Sequence, residues 1–199
     1  VTPQGKEYAR KIANDESPEI AIATYKAVMD VLLPKTRDDC DMYVFTSHQV
    51  VKEWLIMLDD YMPTHGFERK SIIFWEKDGP GMGDTNNPWG MGMEFVMFFQ
   101  KGRRPKTGTR RNSVVTMPQV RPDKLIHPHE KPLPLLELFI KQSTVKNDFI
   151  VDPFGGSCSL VRAAERAGRS AVCIEYDLNN YTLAKKAFDE GSGAGFDLG

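Results

Sequence analysis

An acid, a proline and two glycines stand together at Asp152–Gly156, and a second acid, Glu175, follows the next apolar run. Glycines of this kind let a backbone approach a ligand closely, and the N-terminus of the helix behind them presents free N–H groups to an anion. An acid at the end of the second strand accepts hydrogen bonds from ribose hydroxyls. The pattern therefore indicates a nucleotide-type site. It is not G-x-G-x-x-G, so a nicotinamide or flavin site is a poor match, and a purely structural turn stays open as an alternative.

The elements that must position this turn are predicted from hydrophobic periodicity and from turn residues. Helices are predicted at 18–33, 48–62, 132–144, 157–167 and 179–190, and strands at 41–47, 69–77, 93–102, 149–151 and 171–175. Strands that alternate with helices predict a parallel, doubly wound sheet. We expect one domain over residues 1–190, with a flexible Gly-rich tail at 191–199.

Composition limits the classes of function. The chain has 199 residues, of which 41% are hydrophobic and 27% charged, and its net charge is −1. Any nucleic-acid binding must therefore come from a local basic patch. The three cysteines form no C-x-x-C pair, which favours a reducing, cytoplasmic compartment. No apolar run approaches the ~20 residues of a membrane span, and no signal peptide is visible.

Upstream of the turn lies the element H-P-H-E-K-P at 127–132, followed by a helix. With the turn and the acid after it, this order resembles the amino-group (N6-adenine and N4-cytosine) DNA methyltransferases of permuted β order. The residues that match are His127, Pro128, Lys131, Pro132, Asp152, Pro153, Phe154, Gly156, Ser157, Glu175, Tyr181 and Ala184. The chain departs from the family at Cys158, where a glycine is usual. The strands of the first half look like the fifth, sixth and seventh of the family.

The resemblance implies a fold, a cofactor and a set of ligand-binding residues. The fold would be α/β, a Rossmann-like S-adenosylmethionine-dependent methyltransferase sheet with helices on both faces and a circularly permuted motif order. The cofactor would be S-adenosylmethionine, with S-adenosylhomocysteine as product. Its methionine end would lie at the Asp152–Ser157 loop with Lys131 near its carboxylate, and its ribose at Glu175. The cofactor-binding residues implied are His127, Lys131, Pro132, Asp152, Pro153, Phe154, Gly155, Gly156, Ser157, Cys158, Glu175 and Tyr176.

The catalytic loop of the resembling family is a D/N/S-P-P-Y/F/W tetrad, and in this order it should precede the helix at 18–33. No Pro-Pro pair occurs in the chain, so the catalytic residues are unknown, and we expect the tetrad to lie upstream of Val1. C5-cytosine methylation needs a cysteine nucleophile, normally within Pro-Cys. The residues before Cys40, Cys158 and Cys173 are not prolines, so this chemistry is set aside.

A basic segment lies between the strand at 93–102 and the H-P-H-E-K-P element, where the family carries its target recognition. A loop at about 101–126 is therefore expected to contact DNA phosphates, and Trp89 could stack on a base. A solvated loop and a packing tryptophan are the alternatives. The DNA-binding residues expected are Trp89, Arg103, Arg104, Lys106, Arg110 and Arg111.

The sequence thus predicts a site-specific DNA methyltransferase that moves a methyl group from S-adenosylmethionine to an exocyclic amine, adenine N6 favoured over cytosine N4. Double-stranded DNA is the expected partner, a homodimer is left open, and neither a metal nor a membrane is expected. A non-catalytic S-adenosylmethionine- or DNA-binding module of a larger assembly is the first alternative. An α/β enzyme that uses another nucleotide is the second. A restriction–modification, phage or solitary bacterial role would look alike.

Overall fold

The computed structural model describes residues 17–79, 86–103 and 108–193. Two compact units divide these residues. The N-terminal unit lies within Ser17–Gln119 and the C-terminal unit within Val120–Gly199. None of the described helices is both long and apolar enough to cross a membrane.

The N-terminal unit is built on a four-stranded sheet. Its strands are β1 (Cys40–Thr46), β2 (Phe67–Glu76), β3 (Met93–Lys101) and β4 (Val114–Thr116), in the order β1-β3-β2-β4. β3 runs antiparallel to both β1 and β2, and only β4 is parallel to β2. The prediction of parallel strands is therefore wrong in this unit. The reason is that the described residues between β2 and β3, 77–79 and 86–92, form no crossover helix of the kind that a parallel pair requires.

Two helices complete the N-terminal unit. α1 spans Pro18–Leu32, and its start was predicted correctly, because the Ser17 side chain accepts a hydrogen bond from the Ile20 N–H at 3.3 Å. α2 spans Val51–Tyr61 and begins three residues later than predicted. Short 3-10 turns, Leu33–Lys35 and Met62–His65, follow the two helices.

The core of the N-terminal unit is aromatic and rich in methionine. Its buried members are Tyr25, Met29, Leu33, Val44, Met57, Leu58, Met62, Phe67, Met97 and Phe99. The Tyr25 hydroxyl lies 3.6 Å from the Met42 sulfur and 4.0 Å from the Met62 sulfur, and burial raises its pKa. The hydroxyl is thus a neutral donor to soft acceptors, and this core has a packing role rather than a catalytic one.

Gly102 ends β3 where the basic segment begins. Its φ angle is +62°, and a Cβ at this position would lie 1.9 Å from the backbone oxygen of Asp38. No side chain fits there, so the close contact with the Asp38 backbone depends on glycine.

The C-terminal unit contains the predicted strand–turn–helix–strand segment. α3 (Leu133–Ser143) precedes β5 (Phe149–Asp152), α4 (Ser159–Arg166), β6 (Ser170–Cys173) and α5 (Leu178–Gly193). β5 and β6 are parallel neighbours, with Asp152 opposite Cys173, as the predicted parallel topology requires. α3 and α4 pack against each other through buried leucine, phenylalanine and alanine side chains. The carboxyl ends of both strands therefore meet at one edge, beside the N-terminus of α4.

Candidate functional site

The glycine turn, residues 153–158, joins β5 to α4 and is held by backbone hydrogen bonds. The Gly155 N–H donates to the Ile174 carbonyl at 2.8 Å, and the Cys158 N–H donates to the Gly155 carbonyl at 2.7 Å. A Cβ at Gly155 would lie 3.0 Å from the Cys158 sulfur and 3.2 Å from the Ile174 oxygen. Gly156 has a φ angle of +53°. The first glycine is thus required by packing and the second by backbone conformation.

Glu175 closes the glycine turn from the end of β6. One carboxylate oxygen accepts a 2.7 Å hydrogen bond from the Gly156 N–H, and the other accepts one of 2.8 Å from the Asp177 N–H. The Asn180 side-chain amide lies 3.5 Å from that second oxygen. Sequence reasoning assigned Glu175 to a ribose. The structure adds that the same carboxylate stabilises the turn, and the ribose role stays a prediction.

Asp152 lies at the carboxyl end of β5. Its carboxylate accepts a hydrogen bond from the Phe154 N–H at 3.0 Å, and the Cys173 sulfur lies 3.9 Å from its other oxygen. Burial raises the pKa of Asp152, and the negative charge of Glu175 raises it further, against the lowering effect of the Phe154 bond. The site therefore places a buried carboxyl group, whose charged form is disfavoured, beside the turn and near the Glu175 carboxylate.

His127 packs on the glycine turn from the H-P-H-E-K-P element. A Cβ at Gly156 would lie 3.4 Å from its Nδ1, and the same nitrogen accepts a hydrogen bond from the His129 N–H at 3.2 Å. Burial lowers the pKa of His127, and His129 lowers it further. The imidazole is therefore neutral at pH 7, with Nδ1 as an acceptor.

Glu130 and Arg162 form an ion pair that sequence reasoning missed. A Glu130 oxygen lies 2.5 Å from Arg162 Nη2, and the two side chains are only 5% and 20% exposed. The other Glu130 oxygen accepts a hydrogen bond from the Ile126 N–H at 2.8 Å. The pair joins the segment that carries His127 to α4. No local spacing relates the two residues, so only the fold reveals them.

The remaining predicted ligand residues differ in exposure. Ser157 is buried and Pro132 is buried at the start of α3, whereas Lys131, Pro153 and Cys158 are half-buried. Phe154 is 47% and Tyr176 87% exposed, so both rings offer apolar surface. All twelve residues predicted to bind the cofactor lie in the C-terminal unit.

Four of the six residues predicted to bind DNA are described, and these lie in the N-terminal unit. Trp89 is 83% exposed, and Arg103, Arg110 and Arg111 are exposed as well. The Trp89 indole is thus not part of the core of this unit, and its stacking on a base stays a prediction. Arg104 and Lys106 lie outside the described residues. Within the described part of the chain, no group of three or more His, Cys, Asp or Glu side chains could hold a metal ion.

Comparison with known proteins identifies the family. The DNA methylase family model N6_N4_Mtase matches residues 6–186, so the chain belongs to this family. Over 162 residues it is 26% identical to the type II methyltransferase M2.MboI of Moraxella bovis, covering 74% of this chain and 55% of that protein. It is 39% identical over 66 residues to M2.LlaDCHI of Lactococcus lactis subsp. cremoris, which is 33% of this chain and 24% of that one. The chain thus spans about half the length, or less, of these curated relatives.

Solved structures share the fold. PvuII DNA methyltransferase (cytosine-N4-specific) matches with a TM-score of 0.72 at 18% identity, over 90% of this chain and 74% of that one. The M1.HpyAVI–SAM complex matches with a TM-score of 0.67 at 24% identity, over 90% of this chain and 85% of that one. TTHA0409 of Thermus thermophilus, complexed with S-adenosyl-L-methionine, matches with a TM-score of 0.66 at 16% identity, over 94% of this chain and 84% of that one. The predicted methyltransferase fold class is confirmed, as a mixed rather than a parallel sheet.

Proposed function

We propose that this chain is the cofactor-binding part of a DNA methyltransferase. The enzyme would move a methyl group from S-adenosylmethionine to an exocyclic amine of a DNA base, adenine N6 favoured over cytosine N4. The observation that carries the proposal is the glycine turn, bonded to Glu175 through the Gly156 N–H, in a chain of the DNA methylase family. The choice of adenine is a prediction that the product nucleoside tests.

The residues of the turn fit S-adenosylmethionine. The backbone at 155–156 is free of side chains because Gly155 has no room for one and Gly156 has a left-handed conformation. The Glu175 carboxylate has lone pairs for about four hydrogen bonds, which leaves capacity beyond its present partners for a ribose hydroxyl. The exposed rings of Phe154 and Tyr176 suit a flat base.

Each group has an assigned role in binding. The turn at 153–157 would hold the methionine end, and the Lys131 ammonium would balance its carboxylate. Glu175 would bind the ribose, and Phe154 and Tyr176 would pack on the adenine. When bound, S-adenosylmethionine supplies the methyl group on a sulfonium and leaves as S-adenosylhomocysteine. Alignment of the cofactor is therefore the contribution of this chain to the rate.

Activation of the amine needs groups that this sequence lacks. The lone pair of an exocyclic amine is delocalised into the ring, so acceptors for its hydrogens are needed to increase its density on nitrogen. No D/N/S-P-P-Y/F/W tetrad occurs in the 199 residues. We infer that residues outside this sequence supply the activating groups.

Double-stranded DNA is the proposed partner. Arg103, Arg110 and Arg111 are exposed cations of the N-terminal unit, and the exposed Trp89 ring is available to a base. Arginine contacts to phosphates release counterions, so the affinity should fall with rising salt. A homodimer, a cytoplasmic location in a bacterium or infected cell, and the single-domain organisation over 1–190 stay predictions.

The test of the proposed function is methyl transfer from labelled S-adenosylmethionine to duplex DNA, with the product nucleosides resolved by mass. We expect N6-methyladenine when the chain is extended to include the tetrad, and none from the 199 residues alone. Binding of S-adenosylhomocysteine, but not of NAD, should be measurable with the chain as it stands. A chain that binds NAD instead, or that binds neither ligand, would contradict the proposal.

A single substitution tests the site within that experiment. Glu175→Ala should weaken S-adenosylhomocysteine binding by at least about tenfold, the loss expected for a hydrogen bond to a charged group. Glu165→Ala is the matched control, since Glu165 is exposed on α4. An unchanged affinity in the Glu175 variant would show that the ribose assignment is wrong.

A non-catalytic module is the second candidate. The absence of the tetrad from the 199 residues favours the module, because binding of the cofactor and of DNA does not need the tetrad. The two candidates separate on the extended chain. Methyl transfer by that chain supports the enzyme, whereas tight cofactor binding without product supports the module.

A further inference from the structure

Cys158, in the glycine turn, lies beside Cys173, at the end of β6. A Cβ at Gly155 would lie 3.0 Å from the Cys158 sulfur and 3.0 Å from the Cys173 Cβ. The space left free by Gly155 is therefore bordered by both cysteines. The two side chains are therefore neighbours, and the Cys173 sulfur lies 3.9 Å from an Asp152 oxygen.

The backbone at Cys158 is unusual for a cysteine. Its φ angle is +51° and its ψ angle 30°, the left-handed conformation that favours glycine. It immediately precedes α4, and the side chain makes no capping hydrogen bond there. The glycine usual at this family position would relieve the conformation. The presence of a cysteine at position 158 is therefore explained by its contact with Cys173 and not by its backbone conformation.

The two thiols differ in reactivity. The neighbouring Cys173 thiol lowers the pKa of Cys158, against the effect of burial. The charge of Arg162 also lowers the pKa of Cys158, whereas Asp152 and Glu175 raise it. The same thiol–thiol contact, together with burial, raises the pKa of Cys173. These directions favour Cys158 as the nucleophile of the pair, with Cys173 as the residue that resolves its oxidised form.

We propose that a hydroperoxide converts Cys158 and Cys173 into an intramolecular disulfide, and that this modification weakens cofactor binding at the turn. The second part rests on the function proposed above. In the cytosol such bonds are usually transient and redox-sensing, which suits a thiol pair beside a ligand loop.

The chemistry balances with the peroxide as oxidant. The Cys158 thiolate attacks one peroxide oxygen, the O–O bond breaks, and the leaving oxygen takes a proton to become water or an alcohol. The resulting Cys158 sulfenic acid is attacked by the Cys173 sulfur. The S–S bond forms, the S–O bond breaks, and the Cys173 proton leaves with the hydroxyl as water. Both sulfurs are oxidised by one electron each, and the peroxide is reduced by two.

The disulfide would act on the turn because an S–S bond of about 2.05 Å is shorter than any non-bonded contact between the two sulfurs. Cys158 must move toward β6, and the adjoining Ser157 and Gly156 must move with it. Gly156 carries the N–H that bonds Glu175. Displacement of these backbone groups would misalign the cofactor-binding residues, so the affinity should fall.

The experiment oxidises the full chain with hydrogen peroxide and maps it with trypsin. Cys158 lies in the peptide 147–162, Cys173 in 170–185 and Cys40 in 38–52, so each link has its own mass. We expect one linked pair, 147–162 with 170–185, and a fall from three free thiols to one. Cys40→Ser should keep the link and Cys173→Ser should abolish it. Sulfenic or sulfinic acid on Cys158 without the link, or links that involve Cys40, would overturn the proposal.

The second measurement is the S-adenosylhomocysteine affinity of the reduced and oxidised chain. We expect the affinity to fall at least about tenfold on oxidation, to recover with dithiothreitol, and not to respond in Cys173→Ser. A disulfide with unchanged affinity would overturn the coupling. If the reduced chain does not bind the ligand, the proposed function and the coupling both fail, whereas the peptide map still decides whether the disulfide forms.

Discussion

Replacement of Glu130 by Gln tests whether the ion pair with Arg162 holds the H-P-H-E-K-P element. Removal of one partner of a fully buried pair costs about 3–5 kcal/mol, because the other charge is left without a partner. Arg162 is 20% exposed, so solvent screens part of that cost and we expect about 2–3 kcal/mol. The loss corresponds to a fall in Tm of roughly 4–12 °C for a chain of this size.

The position of Arg162 makes this loss specific. Its Nε is buried and has no hydrogen-bond partner among the described residues, so the guanidinium depends on Glu130 for much of its compensation. Glu130→Gln keeps the shape and one acceptor oxygen. Further replacement of Arg162 by Met should restore part of the stability, with a coupling of at least about 1.5 kcal/mol in the double-mutant cycle.

Urea unfolding and thermal melts, followed by circular dichroism without ligand, measure both effects. Asp189→Asn is the control, since Asp189 and Lys185 form an exposed i,i+4 pair with both side chains 59% exposed. It should leave Tm unchanged within error. If Glu130→Gln changes Tm no more than this control does, or if the cycle shows no coupling, the reasoning about the buried pair is wrong.

Three further substitutions test single structural statements. Asp152→Asn should raise the urea midpoint at neutral pH, because burial raises the pKa of Asp152 and the ionised carboxylate costs stability above that pKa. The gain in midpoint should shrink as the pH falls through the pKa of Asp152, and a gain that does not depend on pH would contradict this. Gly102→Ala should lower Tm, since its Cβ would meet the Asp38 oxygen at 1.9 Å; an unchanged Tm would show that the turn can relax. Trp75→Phe removes a 2.8 Å hydrogen bond to the Met117 carbonyl and leaves a cavity, so we expect the free energy of unfolding in urea to fall by about 1–3 kcal/mol. A fall of less than about 0.5 kcal/mol would refute this expectation.

The C-terminal unit was predictable because its signals are local. The glycines at 155 and 156 stand between an apolar strand and a periodic helix, and the observed elements follow that pattern. β4 was missed, since three residues are too short a run for an alternation signal. The direction of β3 was also missed, because apolar alternation reports burial and carries no information on which way a strand runs. The Glu130–Arg162 pair depends on packing between segments far apart in sequence, so no spacing rule could have found it.

Glu175 was predicted as a ribose ligand, and the structure shows that its carboxylate stabilises the glycine turn. The N–H groups of Gly156 and Asp177 orient its carboxylate beyond the end of β6. The Glu175 carboxylate in turn supplies a hydrogen-bond acceptor to the Gly156 N–H, which has no carbonyl partner among the described residues. The ribose contact proposed above would use the same oxygens, so a change at Glu175 should alter the stability of the free chain and its ligand affinity together. The variant must therefore be shown to stay folded without ligand before a loss of affinity is assigned to the ribose contact.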